Sequence, residues 1–251
     1  IALPPSGLRN IGNMKAAERR VTKETAVGRV IVHIGTHKTG TTSIQRALSR
    51  NRDFLHENKV LYPDYKLIGL RSHYAHLGMA NALTGAHEKF SVQDAERFFR
   101  FARDMASDFD HTIISAEPLY RQISGKVPPQ KIQTPERYWR ARDEYIARFR
   151  SLIGPAEIAI VIRRQDQFAE SMYQEQIKVT RHSLDFADFL ENFWFHFDYT
   201  AQVRAWKKHF STIHIIPFDR IKGDDITGSF LNHIGIDLPI APSSEAKNVS
   251  M

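Results

Sequence analysis

Five short runs rich in Val and Ile punctuate the chain, at residues 30–34, 60–62, 112–115, 157–162 and 213–216, with helical patterns between them. Several are almost continuously apolar, which is the mark of strands covered on both faces rather than on one. The intervening segments have a different period. Phe98, Phe99, Ala102, Met105, Ala106 and Phe109 recur at helical spacing, as do Tyr138, Trp139, Tyr145, Ile146, Phe149 and Leu152. A third stripe runs through Phe186, Phe189, Leu190, Phe193 and Phe197. Strands that alternate with helices imply a single α/β domain: a central, mostly parallel five-stranded sheet, right-handed crossovers and flanking helices. The aromatic stripes are read as core.

Residues 29–251 are assigned to that domain and residues 1–28 to a loose N-terminal arm, which carries Pro4-Pro5-Ser6-Gly7 and a charged stretch over residues 15–20. The arm lacks the apolar centre of a secretory signal. A chain that starts on Ile1 reads as processed or excised. No apolar run has the roughly 18 residues of a membrane span. The absence of cysteine excludes a disulfide scaffold, thiolate zinc sites and a thiol nucleophile, and fits a reducing compartment. With 35 Lys and Arg against 28 Asp and Glu, the net charge is +7. Such a field favours anionic partners, but no nucleic-acid motif accompanies the dispersed basic residues.

The stretch Val30-Ile-Val-His-Ile-Gly-Thr-His-Lys-Thr-Gly-Thr-Thr-Ser-Ile-Gln45 is a strand, a Gly/Thr-rich loop and the start of a helix whose inward stripe is Ile44, Ala47 and Leu48. That order aims backbone N–H groups, a helix N-terminus and Lys38 at one spot, which makes an anion cradle. Thr41, Thr42 and Ser43 add hydroxyls. The ATP-binding loop places its lysine after the second glycine. Here Gly35 and Gly40 have the right separation, but position 41 is Thr and Lys38 precedes Gly40. The loop is phosphate-type without being a good ATPase loop. A second basic element follows the run 157–162: Arg163 stands at a strand's carboxyl end, where open α/β sheets bind ligands, and Ser171 follows on the next helix.

Lys38-Thr39-Gly40-Thr41-Thr42 resembles the 5′-phosphosulfate loop of sulfotransferases, Pro-Lys-[Ser/Thr]-Gly-Thr-[Thr/Ser], with His37 in place of Pro. Arg163 and Ser171 match that family's Arg-x₇-Ser element for the 3′-phosphate. The segment Ile213-His-Ile-Ile-Pro-Phe-Asp219, then Phe230-Leu-Asn-His-Ile-Gly235, is similar to its last strand and helix, and Lys247-Asn-Val-Ser250 to a tail in bacterial members. More chain usually follows there, so Met251 is read as a truncated end.

The resemblance implies a P-loop NTPase-like sulfotransferase fold that moves a sulfuryl group from 3′-phosphoadenosine-5′-phosphosulfate (PAPS) to a hydroxyl or amine, leaving the nucleotide PAP. The acceptor it implies is a saccharide or glycolipid. It assigns His37, Lys38, Thr39, Gly40, Thr41, Thr42, Arg163 and Ser171 to the donor, with Lys38 also catalytic, and requires no metal. Glu117, at the end of the third strand, is the first candidate for the base. His76, His73 and His37 are held in reserve. Residues 124–135, with Lys126 and Lys131, form a candidate acceptor lid, and Gln174 and Lys178 are candidates for the acceptor groove. Two alternatives stay open: an ATP- and Mg²⁺-dependent kinase-like enzyme, and a non-catalytic module that binds nucleotide or acidic polymer. The expected location is a bacterial cytoplasm.

Overall fold

A computed structural model describes residues 28–132, 134–180 and 185–240. The expectations for the arm at 1–27 and for the tail from 241 onward lie outside these residues. Five strands among them form one sheet: β1 (Arg29–His33), β2 (Val60–Leu61), β3 (His111–Ser115), β4 (Glu157–Ile162) and β5 (Thr212–Pro217). Their order is β2-β3-β1-β4-β5, and every pairing is parallel, so the sheet expected to be mostly parallel is wholly so among the described residues. Strand ends differ by a residue or two from the apolar runs, because Arg29, His111 and Thr212 extend the ladders although their side chains are polar.

Among the described residues ten helices surround the sheet: α1 (Thr41–Arg50), α2 (Arg52–Glu57), α3 (Leu77–Ala82), α4 (Val92–Met105), α5 (Pro135–Ile153), α6 (Gln165–Thr180), α7 (Phe186–Asn192), α8 (Tyr199–Lys207), α9 (Phe218–Ile221) and α10 (Ile226–His233). Because successive strand residues point to opposite faces, each strand feeds two cores. Val30, Val32, Ile114, Ile158 and Ile160 meet Phe98, Phe99, Tyr145, Phe149 and Trp206 from α4, α5 and α8. Ile31, Ile113, Ala159 and Val161 meet Ile44, Ala47, Leu48, Phe230 and Leu231 from α1 and α10. Both faces of β1, β3 and β4 are therefore covered, as their apolar runs require, whereas the edge strand β5 is largely open, with Ile215 48% exposed.

The third aromatic stripe is not one helix. Asp185 caps α7 by accepting from the Asp188 amide, and Asp198 starts α8 by accepting from Ala201. Between them lies a 3₁₀ turn, Trp194–His196. The rings of Phe189 and Phe193 still meet at 4.9 Å, so the apolar contacts survive while the backbone turns.

Parallel strands bring all their carboxyl ends to one edge. The loop after β1, Glu117 after β3, Arg163 after β4 and Phe218 after β5 therefore share a rim.

Candidate active site

The loop over residues 34–40 is fastened to β4 before it reaches α1. Gly35 O accepts from the Val161 amide at 2.6 Å, and the Thr36 amide donates back to Val161 O at 2.7 Å. The Thr36 hydroxyl donates to the same carbonyl at 3.1 Å, and the buried Thr39 hydroxyl donates to Thr36 O at 2.7 Å. Thr39 thus shapes the loop from within. Lys38 adopts φ 61° and Gly40 φ 73°, both left-handed. At Gly40 the conformation suits only glycine in a second respect: a Cβ there would lie 2.2 Å from Ile226 Cδ1. α1 begins at Thr41 with no side-chain cap and no acidic residue in its first turn. Its leading amides therefore have no side-chain acceptor, and its positive dipole end lies at the loop. Thr41 is buried, Thr42 exposed and Ser43 half-buried.

Phe218 ties this loop to the second basic element. A Cβ at Gly40 would sit 3.6 Å from Phe218 Cε2, and the Arg163 guanidinium carbon lies 5.8 Å from the Phe218 ring centroid. Arg163 Nε donates to Gln167 Oε1 at 3.2 Å, and Tyr199 OH donates to Arg163 O at 2.7 Å. All of these partners are neutral. Arg163 makes no direct ion pair among the described residues, Asp219 feeling its charge only at longer range while held by Lys222, and a cleft of about 630 Å³ opens beside it. Arg164 is taken up by Asp166 at 2.7 Å in an exposed pair.

Lys38 reaches across to α6, where its Nζ lies 3.9 Å from Glu175 Oε2. Ser171 is four residues before Glu175 and so shares that helix face. Ser171 is half-buried, whereas Gln174 and Lys178, on the same side of α6, are exposed. The structure therefore brings the loop, Lys38, Arg163 and the Ser171 face of α6 to one rim.

Glu117 opens a 3₁₀ turn, Glu117–Tyr120, and is 6% exposed. It packs on the loop: a Cβ at Gly35 would lie 3.3 Å from Glu117 Cβ. Gln45 Nε2 donates to Glu117 Oε2 at 3.1 Å and to Ser115 Oγ at 3.1 Å, and Ser115 Oγ lies 2.9 Å from His33 Nδ1. This buried chain of polar groups runs beneath the cradle. It fixes one oxygen of Glu117 and leaves Oε1 without a hydrogen bond among the described residues. Two atoms of the chain, His33 Nε2 and Gln45 Oε1, are buried and unpartnered. Sequence reading did not single out His33, Ser115 or Gln45 as functional. The available signal was a polar residue inside each apolar pattern: His33 and Ser115 end buried strands, and Gln45 follows Ile44 on the inward side of α1.

The reserve histidines fare differently. His76 is wholly buried and both its ring nitrogens are engaged: Nδ1 accepts from the Ser115 amide at 2.9 Å, and Nε2 donates to Pro63 O at 2.8 Å. Burial pushes its pKa down to about 3. It holds the backbone beside β3 with neither a free lone pair nor a proton to exchange, so the structure does not bring His76 to the reacting position. His73 Nδ1 is turned to its own chain, at Ala75, and its ring stacks on Tyr65. His37 does belong to the loop: its Nε2 accepts from Arg121 Nε at 3.2 Å. Burial, then the Arg121 and Lys38 charges, lower its pKa to about 3.

In the candidate lid, Lys126 lines a cleft together with Arg121, whereas Lys131 ends a short 3₁₀ turn and is exposed. Gln133 lies outside the described residues. Among those residues no three His, Asp or Glu side chains cluster as metal ligands, and no helix is long and apolar enough to cross a membrane.

No protein-family model matches the chain, and no curated protein matches it. Solved structures do. A sulfotransferase from Alicyclobacillus acidocaldarius is 13% identical, with 86% of this chain and 84% of that one covered at a TM-score of 0.50. The sulfotransferase domain from the curacin biosynthetic pathway is 7% identical over 84% of this chain and 75% of that one, at a TM-score of 0.46. At such identity the likeness is one of architecture, and it rests on the first of the two: this chain has the five-stranded α/β fold found in that sulfotransferase.

Proposed function

We propose that the protein is a PAPS-dependent sulfotransferase acting on an acceptor hydroxyl. One observation carries the reading: an uncapped helix start with Lys38 and an arginine that makes no direct ion pair among the described residues share the same rim, bridged by Phe218. Two separate anion sites joined by one apolar ring suit a nucleotide phosphorylated at both ends better than a triphosphate clustered at one. The donor supplies an activated sulfuryl group and leaves as PAP.

The chain's own residues supply position and charge. Amides at the start of α1, with the exposed Thr42 hydroxyl, would hold the 5′-phosphate, and Lys38 would turn from Glu175 to the bridging oxygen, where negative charge grows. The planar fork of Arg163, steadied by Gln167 and Tyr199, would hold the 3′-phosphate with Ser171. Glu117, oriented through Oε2 by Gln45, has Oε1 free to accept the proton of the attacking hydroxyl. Lower charge on sulfuryl than on phosphoryl oxygens makes a metal clamp unnecessary.

Thermal unfolding with added nucleotide tests this. PAP raises the melting temperature, and ATP with or without Mg²⁺ does so far less. Arg163→Ala weakens PAP by about tenfold or more, the loss of a charge-assisted contact, but leaves adenosine 5′-phosphosulfate, which lacks the 3′-phosphate, nearly unchanged. Equal losses for both nucleotides, or stabilisation by Mg²⁺-ATP alone, would refute the assignment.

A further inference from the structure

Beside the proposed transfer site runs a groove that the donor does not explain. Two clefts, of about 510 and 530 Å³, share Asn81, His87 and Lys89 and so form one continuous depression. Arg121 and Lys126 line one end, Arg71 the other, with Lys89 between them. Glu88 is the single carboxylate on its walls among the described residues. None of those four cations makes an ion pair among the described residues, although the chain pairs many of its other basic groups.

Arg121 links this groove to the chemistry. It ends the turn that Glu117 begins, and its Nε is fixed on His37 of the cradle loop at 3.2 Å. Its two Nη groups have no hydrogen-bond partner among the described residues. The backbone beneath is rigid: fully buried Arg142 donates to Leu119 O, to Tyr120 O at 2.8 Å and to Gln122 O at 2.6 Å. A guanidinium held this way, half-covered and without a direct ion pair among the described residues, its only carboxylate influence there coming from Glu117 at longer range, can take a planar anion.

The remaining wall chemistry narrows the ligand. Gln122 Nε2 donates to Asn81 Oδ1 at 2.6 Å, which leaves Gln122 Oε1 as an acceptor and Asn81 Nδ2 as a donor toward the groove. Adjacent donor and acceptor suit hydroxyls, which both give and take a hydrogen bond. Phe90, stacked on His87 at 5.0 Å, adds an apolar face for the carbon side of a sugar ring.

From this juxtaposition we propose that the groove is the acceptor site and that it selects an acidic oligosaccharide, with a carboxylate or sulfate of the chain seated on Arg121 next to Glu117. The assignment rests on the transferase reading and narrows it: a neutral sugar, a phenol or a sterol would leave the four cations without a role.

Calorimetric binding to the full chain tests the proposal without turnover. The probes are an octasaccharide of alternating glucuronate and N-acetylglucosamine, the same chain with its carboxyls reduced to alcohols, and the reduced chain bearing 6-O-sulfates. At least one charged chain binds tenfold or more tighter than the neutral one, with affinity falling as salt rises. Which charged chain binds better decides between carboxylate and sulfate. The double variant Lys89→Ala/Lys126→Ala, in exposed positions, loses about tenfold for the charged chain and keeps full stabilisation by PAP. Arg121→Gln loses at least as much. Equal binding of charged and neutral chains, or unchanged binding by the double variant, overturns the proposal even where PAP still binds. An eight-residue oligothymidylate that binds as tightly as the best saccharide also overturns it. Charged-chain binding in a protein that PAP does not stabilise would sink the transferase reading and leave the groove assignment standing.

Discussion

Lys38 occupies a left-handed backbone position, φ 61°, that costs an ordinary L-residue about 1–2 kcal/mol. Its side chain returns little of that. The contact with Glu175, at 3.9 Å, joins two groups that are 37% and 50% exposed, and such pairs contribute between about zero and 1 kcal/mol. A lysine kept where glycine would be easier is explained by what its ammonium does for a bound anion. Replacing it separates the two roles. Lys38→Gly is expected to unfold at the same or a higher urea concentration than the parent, with a gain of up to about 1 kcal/mol, and to lose sulfuryl transfer. Urea titration and a transfer assay on one preparation check both halves. A variant that is less stable, or one that still turns over, would show that the loop needs the lysine for itself or that the chemistry does not.

At the level of elements, legibility followed the burial pattern. β4 was readable to the residue because both its faces are covered, so apolar content alone marks it. The loop and Arg163 were readable because anion binding demands glycine, hydroxyl and cation at fixed spacing. Gln45, Ser115 and His33 were not, because a single polar residue in an apolar stripe carries no sign of its partner. The break between α7 and α8 was hidden for a similar reason: Asp185 and Asp198 act as caps only once their chain directions are known. Arg142 is the extreme case. It interrupts an apolar helix face, and its partners are three carbonyls of a turn more than a dozen residues away, together with Gln202 Oε1 at 3.1 Å. Arg142→Met would leave those carbonyls buried without donors, at about 1–3 kcal/mol for each and so roughly 3 kcal/mol or more in all. Arg148→Met, which loses a half-exposed pair with Glu96, should cost about 1 kcal/mol or less. Comparable losses for the two in chemical denaturation would contradict the view that Arg142 clamps the turn carrying Glu117 and Arg121.

The whole molecule combines a net charge of +7 with histidines held neutral inside it. Burial lowers His33, His37 and His76 to about 3 each, and pushes His196 well below its usual value. In the unfolded chain the same imidazoles bind protons near pH 6.5. The unfolded state therefore holds more protons than the native state once the pH drops below that value, and acid draws the equilibrium toward unfolding. The stability these groups contribute is complete above about pH 6.5 and declines steadily toward pH 3. Glu157 reinforces the trend further down. Hydrogen bonds from Arg29 and then His214 hold its pKa near 2, so its share is lost between about pH 4.5 and 2. Each protonation also adds positive charge to a chain already in excess, which deepens self-repulsion in the compact state. Denaturation midpoints measured from pH 8 to pH 4.5 should be flat down to about pH 6.5 and then fall, with a limiting slope of several protons per molecule. His76→Gln, which retains a donor and an acceptor for Pro63 and Ser115, should reduce that slope by about one proton. A profile level from pH 7 to pH 5 would mean that these imidazoles are charged in the native protein, and the neutral His33 placed in the polar chain beneath the cradle would have to be redrawn.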